Sequence, residues 1–285
     1  MYVSVNGVKL YFDVEGSALV PDGDSMREKP TVVLVHGGPG ADHTIYKPAY
    51  SQLADIAQVI FYDHRGNGRS EMGDSSQWNL DQWAKDLKGL CDALGIEKPI
   101  VCGTSFGGFV ALAYAIRYPH HPARLVLTST AAHVDFERVF DAFERFGGKE
   151  ARTVAEAYWT NPTSQSRAIY REVCVPLYVA KPNADQSWTS RVLMKDDTAL
   201  WFNGPNNGQG RMDFRGELAS IACPVLVMAG ERDPILPIEF SAEIVSRLPE
   251  GKVRFERFPK SAHGIVGDEP ARYFRELRRF IQEPQ

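Results

Sequence analysis

The 285-residue chain has few cysteines, no excess of basic residues and no long apolar run, and each absence excludes a class of protein. Its four cysteines are scattered without a Cys-x-x-Cys pair, so we expect reduced, buried thiols rather than a zinc or redox site. The 32 basic residues stand against 36 acidic ones, and a formal charge of −4 offers no general attraction for a nucleic-acid backbone. We therefore expect no nucleic-acid partner.

No apolar stretch approaches the roughly 20 residues that span a bilayer, and the first residues lack a basic segment followed by an apolar one. We accordingly expect no membrane association and a cytoplasmic location. The length suggests either two domains of about 150 residues or one larger domain with an insertion.

Short apolar runs that end in Gly, Asp or His alternate with helical patterns over much of the chain. Such runs, rich in β-branched residues and bounded by turn residues, are typical of strands buried on both faces of a parallel sheet. They predict strands at residues 31–35, 59–62, 100–102, 125–127 and 225–228. An apolar-polar alternation on both sides of Asn6-Gly7 predicts an antiparallel hairpin at the edge of this sheet.

Two helices that pack onto the sheet can be delimited from capping residues. One runs from Leu80 to Leu94, with Asn79 as its N-cap and Gly95 as its stop. The other lies near the C-terminus, where an aromatic and aliphatic stripe follows Asp268 as the expected cap and Pro270 in the first turn.

The strand-helix alternation stops between residues 132 and 216. This stretch contains helical patterns broken by prolines at 162, 176, 182 and 205, without a strand of the buried type. Because the alternation resumes at Cys223, we predict one α/β core formed by residues 1–131 and 217–285, with residues 132–216 inserted as a helical cap.

A Gly-x-Ser-x-Gly segment at residues 103–107 follows a predicted strand and opens a helical pattern. In that position it predicts a nucleophile elbow, a tight and strained turn that lifts the Ser105 hydroxyl clear of the sheet. A serine hydroxyl is a poor nucleophile at neutral pH and needs a base. His263 is the preferred base because it follows the strand pattern of residues 253–258, whereas His43 and His64 follow earlier strands and are left as possible pocket residues.

A catalytic histidine needs an acid that holds its tautomer and stabilises the imidazolium. Asp233 lies just past the strand pattern of residues 224–229, and the chain order Ser, Asp, His is the one expected for a nucleophile elbow on this architecture. Glu231 is the nearest rival for the acid. The predicted catalytic residues are therefore Ser105, Asp233 and His263.

The tetrahedral intermediate of acyl transfer needs two hydrogen-bond donors for its oxyanion. The backbone N–H of Phe106, directly after the serine and at the start of a helix, is one candidate. The other is the N–H of Gly38 in the turn His36-Gly37-Gly38-Pro39-Gly40, where glycine lets the backbone approach a substrate.

Together these residues resemble the α/β-hydrolase superfamily and, within it, the proline iminopeptidase branch and its esterase-like relatives. The glycine turn at 36–40, the run DHRGNGRS at 63–70 and the elbow at 103–108 fall where that branch has its motifs, and FNGPN at 202–206 is similar to its Asn-Gly-Pro-Asn segment. The resemblance implies an α/β-hydrolase fold, with an eight-stranded, mostly parallel sheet, helices on both faces and an inserted helical cap.

The chain departs from that branch at two glutamates that hold the α-ammonium of the substrate. Asn207 and Pro234 occupy those positions here. A buried ammonium without a carboxylate partner pays a desolvation penalty of several kcal/mol, so we expect selectivity for free amino termini to be lost. Four cap acids are left open as substitutes: Glu137, Glu144, Glu172 and Asp197.

The predicted function is that of a serine hydrolase that cleaves a small neutral carboxylic ester or lactone through an acyl-enzyme. The alternatives are a proline iminopeptidase or amidase and, from another class, a non-catalytic ligand receptor on the same fold. We expect a small-molecule substrate, no metal and no organic cofactor, and we leave the oligomeric state open. The candidate substrate-binding residues are Gly37, Pro39, Phe136, Phe140, Trp159, Trp201, Phe202 and Asn207.

Overall fold

The computed structural model describes residues 1–181, 190–204 and 206–284. Its strands are β1 Tyr2–Val5, β2 Val8–Glu15, β3 Leu19–Asp22, β4 Ser25–Glu28, β5 Thr31–Val35, β6 Gln58–Tyr62, β7 Ile100–Thr104, β8 Arg124–Thr128, β9 Val225–Gly230 and β10 Val253–Phe258. Eight of them form one sheet in the order β1-β2-β6-β5-β7-β8-β9-β10. The pairs β1–β2 and β2–β6 are antiparallel and the others are parallel, which confirms the predicted sheet.

The helices cover both faces of this sheet, with one apolar cluster on each side. None of the described helices is both long enough and apolar enough to cross a bilayer. They are α1 Leu80–Ala93, α2 Phe106–Arg117, α3 Phe136–Thr160, α4 Ser164–Val173, α5 Asp196–Asn203, α6 Gly208–Arg211, α7 Ile238–Arg247, α8 Ile265–Asp268 and α9 Pro270–Gln282.

The five strands predicted from apolar runs are all present, and four of them extend one or two residues further than the runs. The predicted edge hairpin is also present, because Asn6 and Gly7 adopt φ values of 47° and 82°, which a type I′ turn requires. The small hairpin β3–β4 was not predicted. Its residues are mostly exposed, so it lacks the buried face from which an alternating pattern is recognised.

The boundaries of α1 agree with the capping residues. The Asn79 side chain accepts the backbone N–H of Gln82, and Gly95 follows the helix with a φ of +67°. The predicted cap of the last helix was wrong. Pro270 does open α9, but Glu269 precedes it without a side-chain capping bond, and Asp268 is wholly buried and bonded elsewhere, as described below.

Between β8 and β9 the described chain forms helices α3 to α6. The helix α3 is interrupted at Gly148, where a φ of +79° separates two helical patterns. His133 and Asp213 pair in an antiparallel bridge that brings the two ends of this stretch together. The division into a core and a cap stays a prediction, and the expected breaks at Pro182 and Pro205 lie outside the described residues.

Candidate active site

Ser105 lies in a strained turn between β7 and α2. Its φ of 56° and ψ of −125° are a conformation that residues with a side chain rarely adopt. Two hydrogen bonds hold it, since its N–H donates to the Thr128 carbonyl at 3.0 Å and its own carbonyl accepts the Thr130 hydroxyl at 2.8 Å. Glycine is required beside it, because a Cβ on Gly107 would lie 1.9 Å from the Val35 carbonyl oxygen.

His263 and Asp233 form a buried hydrogen-bonded pair. The histidine Nδ1 lies 2.7 Å from Asp233 Oδ2, and the aspartate is only 1% exposed. The other carboxylate oxygen, Oδ1, accepts the backbone N–H groups of Ile235 and Leu236, each at 2.9 Å. The carboxylate is thereby fixed, and a histidine that donates from Nδ1 presents Nε2 as a proton acceptor.

These three residues occupy the same edge of the sheet, at the carboxyl ends of β7, β9 and β10. Ser129, which follows the intervening strand β8, connects them, because its hydroxyl donates to the His263 carbonyl at 3.0 Å. Its neighbour Thr128 accepts the Ser105 N–H. Sequence reasoning missed Ser129, since a serine after a buried strand is an ordinary turn residue.

The glycine turn after β5 lies beside the serine. A Cβ built on Gly37 would be 3.5 Å from the Ser105 Cβ, so the two residues are in close contact. Gly38 is exposed with a φ of +138°, and Gly40 has a φ of +94°. The N–H of Gly40 donates to Asn67 Oδ1 at 2.6 Å, which ties this turn to the DHRGNGRS run.

Two buried histidines are hydrogen-bonded to each other at the start of the glycine turn: His36, the first residue of the turn, and His64, which follows β6. The His64 N–H donates to His36 Nε2 at 3.2 Å, so the remaining His36 proton is on Nδ1 and donates to the Gly37 carbonyl at 2.7 Å. The His64 ring in turn donates from Nε2 to the His36 carbonyl at 3.3 Å and accepts the Tyr62 hydroxyl at 3.1 Å. Burial lowers the pKa of His36, and burial together with the neighbouring His36 holds the pKa of His64 well below its usual value. Both rings are therefore neutral.

Asp42, His43 and Asp63 bring three potential metal-ligand atoms within 4.8 Å of one another. Their oxygens already have partners. Asp63 accepts His43 Nδ1 at 2.7 Å and the backbone N–H of Arg69 at 2.8 Å, while the Arg69 guanidinium pairs with Asp42 at 2.5 Å. This donor set fits a hydrogen-bonded loop support better than a cation site, and the absence of a metal stays a prediction.

The helix α5 lies over the glycine turn and the start of α2. The N–H of Lys195, directly before α5, donates to the Gly40 carbonyl at 2.7 Å. The Phe202 ring centroid is 5.4 Å from that of Phe106 and 5.5 Å from that of Trp83. Phe106 as a whole is only 1% exposed, so its ring is part of the core. Its backbone N–H opens α2 and has no acceptor within the helix.

A second contact joins Tyr178 to the loop between β10 and α8 that carries His263, which we call the histidine loop. The Tyr178 ring meets the His263 ring edge-on at 4.9 Å, and its carbonyl accepts the Gly264 N–H at 2.7 Å. The Tyr178 hydroxyl bonds the Tyr170 hydroxyl at 2.8 Å. Sequence reasoning missed Tyr178, because nothing in the local pattern indicates a contact with a residue 85 positions away.

Residues 30–270 match the family described as the alpha/beta hydrolase fold. The chain belongs to this family. A proline iminopeptidase from Thermoplasma volcanium is 26% identical over 99% of this chain and 96% of its own length. The structure of an esterase, EaEST, from Exiguobacterium antarcticum superposes with a TM-score of 0.73 at 19% identity, and the match covers 99% of this chain and 99% of the esterase. The structure of the enol-lactonase from Burkholderia xenovorans LB400 superposes with a TM-score of 0.70 at 22% identity, and the match covers 99% of this chain and 100% of the lactonase. The resemblance inferred from the motifs is confirmed at the level of the fold family, and the matched family and the iminopeptidase relative support a hydrolase.

The remaining candidate substrate-binding residues of this α/β-hydrolase separate into buried and accessible ones. Pro39 and Phe140 are buried, whereas Phe136 and Trp159 are half-buried and lie 5.7 Å apart between ring centroids. Trp201 is half-buried against Trp78, with ring centroids 6.4 Å apart. Asn207 is exposed, with a φ of +41° at the start of α6.

The four acids considered as substitutes for the missing glutamates are not buried in this α/β-hydrolase. Glu137 and Glu144 pair with Arg152 on a solvent-facing side of α3, and Glu172 and Asp197 are exposed. The buried acids of the described chain all have partners in a cation, a histidine or backbone N–H groups: Asp42, Asp63, Asp86, Asp233, Asp268 and Glu276.

Proposed function

We propose that this α/β-hydrolase is a serine hydrolase that cleaves a small neutral carboxylic ester or lactone. The observation that carries the proposal is the strained Ser105 at the same sheet edge as a histidine fixed by a buried aspartate. A non-glycine residue in such a conformation is costly and is found where function requires it. A ligand receptor on this fold has no need for a strained serine at the sheet edge that also carries an ordered base.

The proposed reaction begins when His263 Nε2 removes the Ser105 hydroxyl proton and the serine oxygen attacks the substrate carbonyl carbon. The oxyanion accepts hydrogen bonds from the N–H groups of Phe106 and Gly38. The intermediate then expels the alcohol, which takes the proton back from the histidine, and leaves an acyl group on Ser105. Water, activated by the same histidine, hydrolyses the acyl-enzyme.

The acid distribution supports a neutral substrate. Proline iminopeptidase is the name of one relative, but neither Asn207 nor Pro234 carries a charge here, so neither can form an ion pair with an ammonium. In the part of the chain that the structure describes, the buried carboxylates already have partners within the protein. An unpaired ammonium in such a site loses its hydration without compensation. This chain has the same fold as an esterase and an enol-lactonase, which is consistent with ester or lactone cleavage.

Hydrolysis of p-nitrophenyl butanoate and of prolyl p-nitroanilide by the same preparation tests this proposal. We expect kcat/KM for the ester to exceed that for the anilide by orders of magnitude and to fall at least about a thousandfold in Ser105→Ala. Ser246→Ala, on the exposed face of α7, is the matched control and should retain wild-type turnover. A preference for the anilide favours the iminopeptidase, and an unchanged Ser105→Ala excludes the serine mechanism.

A further inference from the structure

One side-chain oxygen of the covering helix α5 has no hydrogen-bond partner among the described residues. Asn203 is only 4% exposed, and its Oδ1 atom is completely buried without a hydrogen-bond partner among the described residues. Buried polar atoms in folded proteins are almost always hydrogen-bonded, so an unpaired amide oxygen needs an explanation. The nearby Asn67 shows the usual situation, because its Oδ1 accepts the Gly40 N–H at 2.6 Å and its Nδ2 donates to the Arg65 carbonyl at 2.8 Å.

The position of Asn203 on α5 directs it toward the candidate site. Ala199 and Phe202 lie on the face of α5 that contacts the glycine turn and the start of α2. A Cβ on Gly40 would be 3.5 Å from the Ala199 Cβ, and the Phe202 ring contacts the Phe106 ring. Asn203 is four residues after Ala199, so the two residues share a helix face. Its side chain therefore leaves α5 on the side that faces the glycine turn.

We propose that Asn203 Oδ1 is a specificity determinant that accepts a hydrogen bond from an uncharged hydroxyl or amide N–H group of the substrate. An amide oxygen is an acceptor only, so its partner must carry the proton. An ammonium is a poorer partner, because the buried carboxylates of the described residues all have partners already and none is free to neutralise it. The inference rests on the proposed esterase function and narrows its substrate class to hydroxyacyl or amidoacyl esters rather than plain alkanoates.

Matched pairs of p-nitrophenyl esters test the inference. The esters of 2- and 3-hydroxybutanoate are compared with butanoate, and the ester of N-acetylglycine is compared with that of 4-oxopentanoate, in which a methylene replaces the N–H. A site built to bond a substrate proton discriminates strongly against an analogue that lacks it. We expect wild-type kcat/KM to be at least about tenfold higher for one proton-bearing ester than for its matched partner.

Two substitutions at Asn203 connect that preference to the side chain. Asn203→Leu, nearly isosteric, should reduce the ratio to about one. It should also leave the melting temperature unchanged or raised, since it removes an unpaired buried amide. Asn203→Asp keeps an acceptor oxygen and should retain the preference, which distinguishes loss of the acceptor from loss of the side chain's shape.

The outcomes separate this inference from the proposed function. A wild-type enzyme that hydrolyses butanoate in a Ser105-dependent manner but shows no preference in either pair overturns the inference alone. A preference that persists in Asn203→Leu, or a melting temperature several degrees lower in that variant, assigns the amide a structural partner and also overturns it. Wild-type protein with no Ser105-dependent turnover of any of the five esters overturns the proposed function itself.

Discussion

The Asp268 carboxylate accepts the backbone N–H of Ala262, the residue directly before His263, at 2.8 Å. The same carboxylate accepts the N–H of Ala180 at 2.9 Å and that of Lys181 at 3.2 Å, which belong to the chain between β8 and β9. One wholly buried side chain thus joins the histidine loop to the segment that also contributes the Tyr178 ring to His263. We interpret Asp268 as a positioning residue for the proposed base.

Asp268→Asn should therefore affect both stability and turnover. Hydrogen bonds to a charged group contribute about 1.5–3 kcal/mol each, and the amide group of asparagine cannot accept all three backbone protons, so we expect a loss of about 2–4 kcal/mol in the free energy of unfolding. Well below the melting temperature, kcat should fall about tenfold with KM little changed. Urea unfolding and ester kinetics on the same samples measure both effects.

The control for this variant is Asp24→Asn in the exposed turn of the β3–β4 hairpin, which should change neither quantity. A stability loss in Asp268→Asn that leaves kcat intact at low temperature would limit Asp268 to a purely structural role.

Asp233→Asn tests the acid of the proposed catalytic residues. An asparagine retains the shape of the side chain but does not stabilise the imidazolium or fix the histidine tautomer, so we expect kcat to fall by about 10⁴. Glu231, the rival acid, forms an ion pair with Arg257 at 3.0 Å, and Glu231→Gln should reduce kcat less than threefold. Steady-state ester hydrolysis by the two variants decides between them, and a loss below tenfold in Asp233→Asn points to another acid.

The buried histidines His36 and His64 predict a loss of stability in mild acid. Burial lowers the pKa of His36 and, still further, that of His64 below the value of about 6.5 expected in the unfolded chain. As the pH falls through that unfolded value, the unfolded chain binds protons that the folded protein does not, and stability is lost at up to about 1.4 kcal/mol per pH unit for each histidine. Above about pH 7 both states are neutral and the contribution is absent.

Urea unfolding of the wild type and of His64→Gln at pH 7, 6 and 5 measures this slope. The variant should lose stability less steeply between pH 7 and 5, whereas His120→Gln, on an exposed turn, should follow the wild type. Carboxylates with lowered pKa, such as Asp63, titrate below this range and do not contribute to the slope. Equal slopes in wild type and His64→Gln contradict the neutral-histidine interpretation.

The location of residues that follow buried strands could be predicted from the sequence. Apolar runs reveal where the strands are, and the carboxyl ends of parallel strands meet at one edge of the sheet. Ser105, Asp233 and His263 were singled out in this way, and the structure does locate all three at that edge. Asp268 was misassigned as a helix cap, because its actual partners include residues 87 and 88 positions away, and a local pattern contains no information on such contacts.

The environment of a side chain was the other feature that sequence could not supply. Asn203 stands in a recognisable Asn-Gly-Pro-Asn segment, but only the packed structure shows that its amide oxygen is buried with no partner among the residues described. His64 was considered as a pocket residue on the basis of its place after β6. The structure instead buries it under the glycine turn, where it bonds His36 and Tyr62.

Gly107 offers a direct test of the close packing that the strained serine requires. A Cβ at this position would lie 1.9 Å from the Val35 carbonyl oxygen and 2.6 Å from that of His36, and neither backbone atom can move without displacing β5 or the glycine turn. We expect Gly107→Ala to cost more than about 3 kcal/mol or to prevent soluble expression, since overpacking a filled interior forces backbone shifts. Gly216→Ala is the matched control, because its new methyl group meets nothing within 4 Å, and its effect should stay within about 0.5 kcal/mol. Chemical denaturation of both variants measures the difference. A Gly107→Ala protein of wild-type stability would mean that α2 does not lie as close to β5 as the proposed elbow requires, and the strain at Ser105 would lose its structural basis.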